Sequence, residues 1–391
     1  MIARWARLPW WAQVLLIFAA ARGVTTLIMM GFARGQLMNA WTGASPDYGA
    51  FATMWDSRWY NIVAFSGYPS VLPISAEGHV QQNAWAFMPV YPFTVRGLMT
   101  VTGLEWNAAS LVVAIAFGFG AALLFYKLMR RVQGHGSSLF AVVLFSVAPA
   151  SPVLQVGYAE SMQLFFIALA LYLTLERRYV ALIPVVVVMS FVRPTGLAFA
   201  LFLGLHVVYR WFTRRRDPFP PRQIAAAVGA TAVSLVAGFA WPAIAGIVTG
   251  DIHSYTQTEL SWRADYIGYQ ELLPFTPWIQ GFHWWFGPVY GTIFLVALVV
   301  AFALILFTPL VKRLGVDLRL WLASYALYLL AVFFPQSSTF RLLAPMFPLL
   351  GALAIPKNKV YRVALVVLSV AGQWVWLEWC WRVNGADWTP P

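Results

Sequence analysis

The seven residues Met54-Trp55-Asp56-Ser57-Arg58-Trp59-Tyr60 set a carboxylate, a guanidinium, two indoles and a phenol side by side. Only 10% of this chain is charged and 61% is hydrophobic. An ionised side chain costs roughly 2.5–3.5 kcal/mol at the centre of an inserted helix, so such chains carry few charges near the membrane without a use. The flanking aromatics suit the water–lipid boundary, where an amphipathic ring satisfies both phases. A carboxylate in that setting can act as a general base toward a hydroxyl, which makes Asp56 the expected centre of the chemistry. Pairing with Arg58 in a solvated loop is the plain alternative, and the spacing alone leaves both readings open.

The elements that must carry this motif are set by composition. Mean hydropathy is +0.70 over 391 residues, and a soluble domain holds about 25% charged residues. The expected class is therefore an all-α polytopic membrane protein, a single domain over 1–391. About eleven spans of some 20 apolar residues fall near 9–33, 107–126, 138–156, 158–175, 179–195, 195–211, 224–248, 288–311, 318–334, 340–356 and 360–380. The lone Cys380 excludes an internal disulfide and a cysteine metal site. Arg4, Arg7 and the Ala19-Ala20-Ala21 run imitate a signal peptide, but apolar residues continue past Arg22 to Phe32, which fits a full span better.

The net charge of +12 is a topology signal. With the N-terminus cytoplasmic, the inner connections hold 18 of the 26 Lys and Arg against three of the 14 acids. Every second connection is basic, as the positive-inside rule requires, and nucleic acid is not an expected partner. Two long extracytoplasmic loops remain, 34–106 and 249–287, holding most of the acids, many Trp and Tyr, and His79, His253 and His283. No repeat or soluble domain is apparent, so the working face is expected at the outer membrane surface.

Within the first loop, Ser45-Pro46 reads as a helix start and Gly67 with Pro69 as a stop. Between them Phe51, Trp55, Trp59, Ile62 and Ser66 fall at helical spacing, an apolar stripe suited to the headgroup plane. Asp56 and Tyr60 stand four apart and can face one cavity. Elsewhere, Glu160 beside Tyr158 and Ser161 either positions a substrate or holds an arginine. Arg22 falls mid-span and needs a partner. Asp251-Ile252-His253 is a weak metal pattern and no Asp-x-Asp motif occurs; a divalent ion, which would need three or more convergent ligands, is not the favoured cofactor. The groups Trp284-Trp285 and Trp374 to Trp381 read as boundary anchors.

Residues 55–68 followed by AFMPVYP at 86–92 resemble the first outer loop of the GPI mannosyltransferase 2 (PIG-V-like) family, within the C superfamily of multi-span glycosyltransferases. The matching residues are Trp55, Asp56, Trp59, Tyr60, Ala64, Gly67, Tyr68, Phe87, Pro89, Pro92 and Arg96. Weaker likenesses follow in order at Tyr158-Ala159-Glu160-Ser161, Arg193-Pro194-Thr195-Gly196 and Arg341-Leu342-Leu343-Ala344-Pro345. Met54 stands where eukaryotic members often have His, Met88 stands for a Phe, and the loops are compact, which favours a bacterial homologue. The implied location is then the bacterial cell membrane, or the endoplasmic reticulum membrane for a eukaryotic source.

The resemblance implies inverting transfer of mannose from a polyprenyl-phosphate carrier to a hydroxyl of a lipid, lipoglycan or protein, with Asp56 as base. A lipid-linked donor also suits a site on the outer face, away from cytosolic nucleotide sugars. Guanidinium groups fit the leaving phosphate because their planar fork offers two aligned donors. Arg341, Arg193 and Arg263 are the candidates, Arg341 first because the polar run Gln336 to Thr339 precedes it. Arg58, Trp59, Tyr60, Tyr91, Tyr158, Glu160 and Gln336 are the expected substrate contacts. Competing classes are a lipid or sugar transporter (flippase), expected to have matching halves, and a non-catalytic subunit retaining the fold.

Overall fold

The protein is all-helical in a computed structural model that describes residues 5, 7–383 and 391. Arg4 lies outside the described residues. Among the described residues seven helices are long and apolar enough to cross a membrane: Trp10–Arg34, Trp106–Arg130, Gly196–Thr213, Pro221–Thr249, Pro288–Leu306, Gly315–Val332 and Lys359–Trp381. Three shorter apolar helices, His135–Val147, Glu160–Leu175 and Tyr179–Ser190, fall where further spans are expected. This is a polytopic membrane protein.

Two expected spans, 138–156 and 340–356, are interrupted. The stretch 340–356 is broken into Thr339–Leu342, a 3-10 turn at Ala344–Met346 and Pro348–Leu353. Pro345 and Pro348 each lack the N–H that an α-helix interior needs, so an apolar run of sufficient length does not become one rod. The same chemistry stops His135–Val147 before Pro149, after which Ser151–Gln155 continues as a 3-10 turn.

The chain folds as two compact units, 1–61 with 93–172 and 337–391, and 62–92 with 173–336. In the first, Trp10–Arg34 packs on Trp106–Arg130 closely enough that a Cβ on Gly118 would lie 2.7 Å from the Phe18 ring. Polar residues fasten this unit where spans are interrupted. Arg22 donates to the Ser146 carbonyl, left open where His135–Val147 ends, and at 2.6 Å to the Ser151 carbonyl in the 3-10 turn that follows. Thr25 donates to Gln373 at 2.7 Å, and Gln373 donates to the Val147 carbonyl at 2.9 Å.

The second unit is built on Tyr179–Ser190, Gly196–Thr213, Pro221–Thr249 and Gly315–Val332. Gly196 lets two backbones meet, since a Cβ there would stand 2.8 Å from the Gly238 Cα. Trp321 is fully buried against Phe199 and Phe202. His206 lies between the Asp317 carboxylate at 2.7 Å and the Tyr179 hydroxyl at 2.8 Å, to which Arg210 also donates. Pro288–Leu306 has a mean hydropathy of 2.8 over its best window and only 11% of that window is buried within the protein. Its surface is suited to lipid on most sides.

Candidate active site

The chain breaks helical just before Asp56. Asp47 caps the short helix Tyr48–Ala52 by accepting from the Ala50 N–H at 2.8 Å, the cap expected at Ser45 lying two residues further along. A second helix, Asp56–Ser66, then begins and ends where Gly67 takes φ +72°. Between them Trp55 holds φ +57°, a left-handed conformation that costs a bulky residue about 1–3 kcal/mol. The single apolar stripe expected over Phe51–Ser66 is therefore split. Phe51 and Trp55 are buried while Ile62 is exposed, because the kink at Trp55 rotates the second helix away from the first.

Trp381 offsets that strain. Its indole Nε1 donates to the Phe51 carbonyl at 2.9 Å, and the Trp55 indole donates back to the Trp381 carbonyl at 3.0 Å. Trp381 closes a π turn, Leu377–Trp381, and is fully buried. It is thus no boundary anchor, whereas Trp374 and Trp379 of the same group are exposed. Glycine sets a further contact: a Cβ at Gly157 would fall 2.4 Å from Ser57 Oγ. The Gly157 N–H donates to the Ala52 carbonyl at 3.0 Å, and Trp106 donates to Ser57 Oγ at 3.1 Å.

These clasps present Asp56 at the first turn of its helix, where the partial positive charge of free N–H groups faces a carboxylate. Its Oδ2 lies 2.7 Å from Arg341 Nη2. Arg341 Nη1 donates to Glu160 Oε1, also at 2.7 Å. The guanidinium stands 5.2 Å from the centre of the Tyr158 ring, and the Tyr158 hydroxyl accepts from the Asp56 backbone N–H at 3.1 Å. Of the two carboxylates, Glu160 is 1% exposed and Asp56 13% by side chain. Of the two, Asp56 alone keeps a partly exposed face.

The structure thus brings together Asp56, Tyr158, Glu160 and Arg341. Pairing of Asp56 with Arg58 is not observed: Arg58 donates to the Trp41 carbonyl and lies over the Trp41 ring at 5.3 Å. Trp59 is half-buried and Tyr60 fully buried on the Asp56 helix. Tyr91, Arg193, Arg263 and Gln336 belong to the second unit. Arg263 is buried there and donates to the Gln270 and Glu271 carbonyls at 3.2 and 3.3 Å, and burial lowers its pKa from the usual guanidinium value. Burial, with Glu259 adjacent, pushes the Tyr255 phenol well above its ordinary range, while Arg193 nearby opposes that rise.

Among the described residues no group of three or more His, Cys, Asp or Glu could hold a metal ion. Asp251 and His253 form a local turn, in which the His253 N–H donates to Asp251 Oδ1 at 2.8 Å. The parts of the Asp56 site absent from the sequence reading are Trp381, Gly157 and the Tyr158 bond to the Asp56 N–H. Gly157 directly precedes Tyr158-Ala159-Glu160, and a glycine beside a candidate motif is the one signal that could have marked a close backbone approach.

No protein-family model matches the sequence, and comparison with curated proteins gives no match. Among solved structures the chain is similar to ArnT from Cupriavidus metallidurans, determined bound to undecaprenyl phosphate, with a TM-score of 0.49 and 15% identity over 90% of this chain. The chain spans 62% of that protein's length. At this identity and score the likeness carries no conclusion about activity.

Proposed function

We propose that the protein is an integral-membrane glycosyltransferase of the PIG-V-like kind, acting on the extracytoplasmic side of a bacterial cell membrane. It moves mannose from a polyprenyl-phosphate donor to a hydroxyl of a lipid, lipoglycan or protein. The carrying observation is the pair of carboxylates on one guanidinium, of which only Asp56 meets the surface.

The chemistry balances through that arrangement. The acceptor oxygen attacks the anomeric carbon as its proton passes to Asp56, and the bond from that carbon to the phosphate oxygen breaks with inversion. Its electron pair leaves on the polyprenyl phosphate. Asp56 becomes neutral at the moment the phosphate gains charge, so Arg341 exchanges one anionic partner for another. Glu160 holds the guanidinium in place through the exchange. Such preorganised charge is worth most where water is excluded, and in this reading Arg341, not a metal ion, meets the leaving group. The sugar and its carrier rest on the likeness of residues 55–68 and 86–92 to the family motif.

The test uses membranes holding the full chain and radiolabelled polyprenyl-phosphate mannose. Label should pass to an endogenous acceptor with the wild type and not with Asp56→Asn at equal abundance. Sidedness is read separately in sealed vesicles of known orientation: the exposed Ser66, changed as Ser66→Cys, should react with an impermeant maleimide from the outer side. Reaction only from the cytoplasmic side would overturn the proposed placement.

A further inference from the structure

A second group of charged and aromatic residues lies far along the sequence from the Asp56 motif and has no part in the reaction above. An open cavity of about 370 Å3 is lined by Trp10, Tyr126, Lys127, Arg130, Arg131 and Tyr172, all within the first unit. Its wall contains three cations, three aromatics and no acid. Trp10 and Tyr126 stack with centroids 5.1 Å apart and planes at 6°. Lys127 Nζ sits 5.6 Å from the Trp10 ring and 5.9 Å from the Tyr172 ring. The Tyr126 hydroxyl is tied to His135 Nδ1 at 2.7 Å, and Arg130 donates to the Gln133 carbonyl at 3.2 Å. Lys127 and Arg130 are thus each tethered beside an open volume.

We propose that this cavity binds the phosphate headgroup of an anionic glycerophospholipid from the cytoplasmic leaflet. Three arguments converge. The cavity lies at the start of the span Trp10–Arg34, which Arg7 precedes, and at the basic C-terminal end of Trp106–Arg130, the ends that the charge asymmetry of the sequence assigns to the cytoplasm. Basic pockets between spans on that side suit anionic lipid headgroups, and the volume is within the usual range for a bound small molecule. Both spans are apolar, with mean hydropathies of 1.9 and 2.3 over their best windows, so acyl chains can lie along them below the cavity, which a soluble phosphate could not use. This inference goes beyond sugar transfer and does not depend on it.

The test titrates the purified full-length protein in detergent with phosphatidylglycerol or with phosphatidylcholine of matched chains and counts bound lipid by native mass spectrometry. Phosphatidylglycerol should be retained and phosphatidylcholine not. The double variant Lys127→Gln/Arg130→Gln should lose phosphatidylglycerol roughly 30-fold, each cation near an anionic headgroup contributing about fivefold. Lys312→Gln/Arg313→Gln removes equal charge from other exposed positions and should bind as the wild type does, as should Asp56→Asn. Equal binding of the two lipids by the wild type overturns the proposal whether or not the cavity variant folds. Displacement of phosphatidylglycerol by equimolar polyprenyl phosphate, or by millimolar inorganic phosphate, overturns the phospholipid assignment.

Discussion

Asp56 and Glu160 share one guanidinium: Arg341 gives Nη2 to the first and Nη1 to the second, each at 2.7 Å. The two carboxylates differ in access. Glu160 is sealed inside the protein, while Asp56 keeps a face open. In the proposed mechanism this one arginine links a structural partner to the base, and replacements at the two acids should have opposite signatures.

Replacement of the accessible acid should affect rate more than folding. With Asp56→Asn, Arg341 retains Glu160, so abundance and melting temperature should stay near wild type. Sugar transfer should fall by about 10²–10⁴, the usual contribution of a positioned base. Initial rates with radiolabelled donor in membranes check this, and near-normal transfer would remove Asp56 from the base role.

The sealed acid should behave in the reverse way. Removing one partner of a buried ion pair costs about 3–5 kcal/mol because the remaining charge is left poorly compensated. Glu160→Gln should therefore lower the melting temperature clearly. Its residual transfer should show a raised KM for the donor, because Arg341 is then drawn toward Asp56. A stable variant with normal donor KM would show that Glu160 does not position Arg341.

Charge alone should not replace the fork. Arg341→Lys keeps a cation, but an ammonium lacks the planar pair of nitrogens that spans the two carboxylates. Donor-dependent rate should drop at least tenfold with smaller loss of abundance than in Arg341→Ala. Equal donor dependence in all three proteins would move the phosphate site elsewhere.

Trp381 and Gly157 test the scaffold. Trp381→Phe keeps an aromatic ring and removes the donor to the buried Phe51 carbonyl, a loss of about 1–3 kcal/mol. It should lower kcat more than it raises KM, as the Trp55 turn relaxes and Asp56 drifts. Gly157→Ala places a methyl 2.4 Å from Ser57 Oγ, and overpacking of this kind costs about 1–3 kcal/mol. Adding Ser57→Gly should restore part of the lost melting temperature. A double variant no more stable than Gly157→Ala would show that the clash is not with Ser57.

The sequence by itself determined what burial economics dictate locally. Long apolar runs marked most of the spans, the cost of a charge beside lipid singled out Asp56, Glu160 and Arg22, and the chemistry of a phosphate offered Arg341 together with Arg193 and Arg263. Pairing was beyond it. Glu160 and Arg341 are separated by 181 positions, and no period or composition links residues whose meeting depends on the packing of other helices. Arg58 stood two residues from Asp56 in the chain and turned to Trp41 instead, because helical residues two apart point in different directions. Trp381 carried the same composition signal as its exposed neighbours Trp374 and Trp379. Only the π turn that ends the last span directs its indole inward to the Phe51 carbonyl, and direction in space is a property of the tertiary structure.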